Sequence, residues 1–209
     1  MNENAALDFI VYSLFGDMSS PEEAVINRAY VDMASHTLTG FDDYNEKWRC
    51  RYEGSKLIKE SLNLLSEKDT FDTWHKTLCE GLMDVYPKQK LTYGQAQKWV
   101  NMTIKYVYVL KRLEKMDQSV FPFISKAHAH LFHPPVDSYV LREVLKDHCS
   151  WSGIENNTKY EEKRAKLKDK GFDFKTELSK WPKIAEKQRQ NDKKSYAYFL
   201  KSNHHVTQN

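Results

Sequence analysis

The stretch that most constrains this chain runs from Leu91 to Val109. Tyr93-Gly94 reads as a tight turn, with Gly94 free to take a positive φ because it carries no Cβ. Ala96 keeps the side of that turn small. Beyond it, Trp99, Val100, Ile104 and Val107 recur at helical spacing, so the turn runs straight into a helix with a broad apolar face. Lys98 then falls in the first turn of a mostly buried helix, where a surface lysine gains little. The free N–H groups of such a helix start attract phosphate. A lysine held there is partly desolvated, which lowers its pKa and frees its amine as a nucleophile.

A buried helix needs other elements to cover it. The chain has 209 residues with only 7 Gly and 6 Pro, too few tight turns for a many-stranded sheet. Hydrophobic residues make up 40% of it, enough for a real core. The expected fold class is all-α, over residues 1–201, with 202–209 a disordered tail.

Residues 5–15 read as a short apolar helix or arm. Ser20, Pro21 and Glu23 read as an N-cap, first helical position and capping box, opening a helix that ends near Thr39-Gly40. Residues 42–54 carry Tyr44, Trp48, Arg49, Arg51 and Tyr52. Aromatics interleaved with arginines can stack bases and contact phosphates, but an amphipathic helix with cations on its wet face explains them as simply. Leu57, Ile58, Leu62 and Leu65 make a further helix. Asp69 or Thr70 caps the next, with Phe71, Trp74, Leu78 and Leu82 along one face and Pro87 stopping it. His75 reads as a structural histidine.

His128, His130 and His133 lie in a segment broken by Pro134-Pro135. Their spacing invites a metal, but no carboxylate or cysteine ligand is close by in sequence, and a helix would scatter them. No metal site is expected. Asp137 reads as the N-cap of a helix containing Tyr139, Val140, Leu141, Val144 and Leu145. After a loop at 150–158, two or three helices follow, with Pro182 opening the last.

Two segments carry a resemblance. Gly94-x-Ala96-x-Lys98, followed by Trp99-Val100-Asn101, resembles the hairpin of the helix-hairpin-helix DNA glycosylases, Gly-x-Gly-x-Lys leading into Thr-Ala-Asn. Ala96 replaces the second glycine. Pro135-Val136-Asp137-Ser138-Tyr139-Val140 resembles the family segment Pro-Val-Asp-x-His-Val, which holds a catalytic aspartate. The separation, 137 − 98 = 39 residues, is closer to that of the archaeal 8-oxoguanine glycosylases than to that of endonuclease III relatives. The resemblance covers about residues 70–148.

It implies a two-lobed helical glycosylase-like fold, with the helix-hairpin-helix at about 70–113 and the aspartate segment at 134–148. The implied activity is excision of a damaged or modified base such as 8-oxoguanine, with or without strand cleavage at the abasic site. Lys98 would be the nucleophile, with Lys105 a rival, and Asp137 its acid–base or electrostatic partner. Tyr93, Gly94, Gln95, Ala96 and Gln97 would hold a DNA phosphate, with room for a monovalent cation at the hairpin carbonyls and no other cofactor. Trp74, Trp151, Tyr160 and Trp181 are the candidate walls for an extruded base. The alternatives are a non-catalytic helix-hairpin-helix DNA-binding protein and an unrelated helical interaction protein.

The remaining composition narrows partner and compartment. A formal charge of +3 permits nucleic-acid binding without requiring it. The expected partner is double-stranded DNA, bound by a monomer. Cys50, Cys79 and Cys149 form no C-x-x-C pair, which argues against a disulfide framework or an iron–sulfur loop. No apolar run reaches membrane-spanning length and the start, MNENAALDF, lacks a basic-then-apolar leader. The expected location is cytoplasmic, nucleoid-associated in a bacterium.

Overall fold

Why the 91–109 stretch folds as it does is clearest at its start. In the computed structural model, which describes residues 3–35, 37–67 and 69–204 and their side chains other than those of 3, 191–192 and 195–204, the helix begins one residue earlier than the turn reading placed it. Thr92 is its N-cap. The Thr92 hydroxyl accepts from Gln95 N–H, and the Gln95 side chain accepts from Thr92 N–H. This is a capping box. The tight turn lies upstream, where Lys90 N–H donates to Pro87 O at 2.9 Å and Gln89 takes the left-handed conformation, φ 68°. Gly94 is helical and needs no positive φ. Its role is close approach, because a Cβ there would stand 2.0 Å from the Trp151 carbonyl oxygen.

The helices are α1 (Glu3–Phe15), α2 (Pro21–Ala34), α3 (Tyr44–Leu64), α4 (Phe71–Val85), α5 (Tyr93–Arg112), α6 (Asn157–Asp169) and α7 (Phe174–His204). A π-helical turn, Val140–Leu145, and a 3₁₀ turn, Trp151–Gly153, lie between α5 and α6. No strand occurs among the described residues, so the fold is all-helical, and none of their helices is long and apolar enough to cross a membrane.

Helix α5 is the axis of the packing, lying against α2, α4, the 3₁₀ turn and α6. Trp99 is fully buried. Its ring meets Tyr30 edge-on at 5.0 Å and its indole N–H donates to Ile26 O at 3.0 Å, so the large ring is buried with its one polar atom satisfied. Gly54 makes room for that ring, since a Cβ there would fall 2.8 Å from it.

Several sequence expectations change. Residues 44–64 form one continuous helix rather than two. Ser20 caps α2 by position, with Pro21 first in the helix, but makes no side-chain cap bond, and α2 stops at Ala34. The 113–137 segment is not helical; turns and bends carry it. Buried Lys111 holds this loop by donating to the carbonyls of Gln118, Phe121 and Ile124, each at 3.1 Å. The helix expected at Asp137 is a short π-helical segment that ends at Lys146 in the left-handed conformation. Pro182 lies inside α7 instead of opening it, and α7 starts at Phe174 behind Asp173, whose carboxylate accepts from Thr176 N–H. Helix α7 includes 202–204 of the expected tail; 205–209 fall outside the described residues.

Candidate functional site

One face of α5 collects charge. Lys98 and Lys105 are seven residues apart, two helical turns, and so share that face. Around them stand Asp32 of α2, Asp137 before the π-helical turn, and Glu177 of α7.

Lys98 is the unusual member. Its Nζ lies 4.3 Å from the centre of the Trp151 ring, a cation–π distance. Among the described residues it has no hydrogen bond or ion pair. Burial pulls its pKa below the ordinary lysine range, offset in part by the charges of Asp137 and then Asp32, and helped by nearby Lys105. A lysine so placed is more easily neutral than a surface lysine. Lys105 is held differently: its Nζ donates to Glu177 Oε1 at 2.7 Å and sits 5.3 Å from the Trp181 ring centre. That ion pair occupies the Lys105 amine, which disfavours Lys105 as a nucleophile.

Asp137 is 7% exposed. Its Oδ1 accepts from Tyr139 N–H and Val140 N–H, both at 3.0 Å, so the cap reading is right. The other oxygen has no hydrogen bond among the described residues. Glu177 is 1% exposed, and its Oε2 is buried without a partner. Burial raises its pKa, and the Asp137 charge adds to the rise against the opposing pull of Lys105. A buried acceptor with no donor is costly unless something supplies one.

A buried polar network sets the position of Asp137. His133 Nε2 meets the Asp72 carboxylate at 2.6 Å, which fixes the tautomer: Nε2 carries the proton and Nδ1 accepts from Tyr160 O–H at 3.1 Å. Asn101 Nδ2 donates to Tyr160 Oη and to Gln97 Oε1, each at 3.0 Å. Gln97 then bonds both backbone groups of Val136, taking its N–H at 3.2 Å and giving to its carbonyl at 2.8 Å. Asn101 Oδ1 takes the proton of His75 Nε2 at 2.9 Å. Burial drives the pKa of both histidines down, well down for His75, and the His133 hydrogen bond, with Arg164 nearby, holds Asp72 well below the usual carboxylate range. The network therefore ties α4, α5 and α6 to the residue just before Asp137.

The residues picked from sequence divide accordingly. Lys98, Asp137, Trp151, Trp181 and Lys105 come together. Tyr93, Gly94, Gln95, Ala96 and Gln97 do not form an open phosphate cradle; all five are buried. Gly94 N–H donates to Ile154 O at 2.9 Å, Gln95 to Thr37 O, and Tyr93 O–H to Asn157 Oδ1 at 2.7 Å. The 151–154 segment covers the helix start that a phosphate would have used. Trp74 lies apart, tilted against Phe71 with its N–H on Ser61 O, beside a separate groove between α3 and α4. Tyr160 is a fully buried network member and no pocket wall. Of the three histidines whose spacing invites a metal, His133 is bonded as above, His128 stacks on Phe123 at 4.2 Å, and His130 Nδ1 lies 2.9 Å from Ala127 O. No group of three or more histidines, cysteines or carboxylates among the described residues is placed to hold a metal ion.

Glu177 was missed. Its signal was present: with Phe174, Leu178 and Trp181 on the apolar stripe of α7, a carboxylate at 177 falls inside that stripe. Asp32 likewise follows Ala29 by three on the buried side of α2. No family model, curated protein or solved structure matches this chain.

Proposed function

We propose that this chain is a DNA N-glycosylase, with Lys98 as nucleophile and Asp137 as its acid–base partner. The observation that carries the proposal is the state of Lys98: desolvated against Trp151, without an ion pair among the described residues, and with Asp137 the leading charge acting on it. A structural lysine is normally paired or exposed. A nucleophilic one must spend time neutral.

The chemistry follows from the residue types. Asp137 accepts a proton from the Lys98 ammonium. The neutral amine attacks C1′ of an extruded nucleotide; the N–C1′ bond forms as the glycosidic bond breaks, and the electron pair leaves with the base, which takes up a proton. That proton comes from the Asp137 carboxylic acid, and the carboxylate so restored offsets positive charge developing on the sugar. The amine then loses a proton and the C1′–O4′ bond opens, with O4′ taking up a proton, which turns the aminal into a Schiff base that permits strand cleavage by β-elimination. No step needs a cation at the hairpin. Trp181 and Trp151 supply aromatic faces for the base. The unpartnered Glu177 Oε2 supplies an acceptor, which favours a base offering an extra N–H; 8-oxoguanine carries one at N7 that guanine lacks. On this reading the helices divide into two lobes about the Lys98 face, and double-stranded DNA is the partner of a monomer. The non-catalytic alternative gives the desolvated, unpaired Lys98 amine no role.

Borohydride trapping on duplexes carrying 8-oxoguanine or an abasic site tests the proposal. Wild-type protein forms a covalent complex, Lys98→Gln forms none, and Lys105→Gln still traps. No trapping and no base release over a panel of lesions would end the glycosylase reading.

A further inference from the structure

Away from the Lys98 face, α2 and α3 flank an open cleft of about 470 Å³. Asn27, Trp48, Arg51, Tyr52, Ser55 and Lys59 line it. Three features distinguish it from an ordinary surface groove. First, Tyr44, Trp48 and Tyr52 recur every four residues on α3 and remain 70%, 47% and 68% exposed. The Tyr44 and Trp48 ring centres lie 5.9 Å apart, edge to face at 72°, and Tyr52 continues the row one turn on. Second, Arg51 has no carboxylate partner among the described residues. Its guanidinium lies 4.6 Å from the Tyr30 ring centre and 4.8 Å from that of Trp48, and Nη2 donates to Asn27 Oδ1 at 3.1 Å. It is a fixed planar cation with its charge unspent. Third, the Ser55 hydroxyl in the cleft wall is buried and makes no hydrogen bond.

We propose that this α2–α3 face is a binding site for single-stranded nucleic acid, with bases stacked on Tyr44, Trp48 and Tyr52 and the backbone phosphates drawn to Arg51 and Lys56. The chemistry of the site selects this occupant. Exposed rings at helical steps offer stacking surfaces to bases of any sequence. A guanidinium held between two rings suits a phosphate, which it can bond through two N–H groups. Lys56 adds charge, because its contact with Glu60 is long, 3.9 Å, and exposed. Lys59 adds less, since Glu22 and Glu23 already engage it at 2.9 and 3.4 Å; the strand therefore runs over the 44–56 portion of the helix. An apolar protein partner would leave Arg51 desolvated and unpaired, which is costly. The site is separate from the Lys98 face and does not depend on the reaction proposed there.

The test uses the full chain and fluorescence anisotropy with a short labelled oligothymidylate. Wild-type protein binds it, more weakly as salt rises, because phosphate contacts release condensed counterions. Trp48→Ala and Tyr52→Ala each weaken binding about ten-fold. Both side chains are at least half exposed or nearly so, and an unchanged melting temperature and far-UV circular dichroism establish that the fold is kept. Arg51→Lys, which keeps the charge and loses the planar fork, also weakens it. Trp48→Ala still forms the borohydride-trapped complex as wild type does, so this outcome and the trapping outcome succeed or fail separately. Wild-type affinity in both aromatic variants would overturn the proposal, as would binding indifferent to salt. Thymidine monophosphate competing as well as the oligomer would overturn it too, in favour of a small-ligand pocket.

Discussion

Gly94→Ala is the substitution whose sign the structure decides. In an exposed helix interior, glycine to alanine stabilises by about 1 kcal/mol. Here the new Cβ would stand 2.0 Å from the Trp151 carbonyl oxygen and 3.1 Å from Ile154 Cβ. The first neighbour is backbone and cannot turn away, so the 151–154 segment must move off α5. Overpacking of this kind costs about 1–3 kcal/mol. The Gly94 N–H to Ile154 O bond, 2.9 Å, is strained or lost at about 0.5–1.5 kcal/mol. Set against the propensity gain, the net loss is about 2 kcal/mol, which for a chain of this size lowers the melting temperature by about 4–8 °C. Differential scanning calorimetry measures it. Gly81→Ala is the matched control: it too is helical, but its Cβ meets only the movable Leu57 methyl at 3.3 Å, so it melts at or above the wild-type temperature. Displaced Trp151 would also leave Lys98, so trapping by Gly94→Ala falls more than its stability loss explains. A Gly94→Ala protein that melts at or above wild type would refute the close-approach account of this glycine.

Other expectations follow from the same contacts. His75 and His133 have depressed pKa values in the fold, so the folded state binds fewer protons than the unfolded chain once pH drops below about 6.5. Their contribution is complete above that pH and is lost below it, at up to about 1.4 kcal/mol per pH unit for each histidine still neutral, with Asp72 adding to the loss below about pH 4; urea midpoints between pH 7.5 and 5 that do not move would contradict this. Lys105→Met leaves the Glu177 carboxylate buried and alone, and should destabilise by about 3–5 kcal/mol, while pairing it with Glu177→Leu should recover most of that; chemical denaturation of the single and double variants measures the difference. Asp137→Asn keeps a side-chain oxygen for the cap, costs under about 1 kcal/mol, and should still lose most turnover, whereas equal losses in stability and activity would reduce Asp137 to a cap.

How far the sequence determined this molecule can be read from its particular residues. The apolar spacing at Trp99, Val100, Ile104 and Val107, the stripe through Phe71 to Leu82, and the scarcity of Gly and Pro settle an all-helical chain, because helix periodicity is local and each residue reports its own face. The Lys98 and Asp137 segments were legible for the same reason, each announced by its neighbours. Partners distant in the chain were not. Nothing near Gly94 says that the 151–154 segment will lie across it, so its glycine looked like a turn residue and its N–H groups looked free. Nothing near Gln97 says that its amide will clasp Val136, 39 residues on. Whether Lys98 or Lys105 keeps a free amine depends on which one Glu177 reaches from α7. Those choices belong to the tertiary structure, because a buried polar group takes whichever partner packing delivers, and packing brings together residues that sequence order keeps apart.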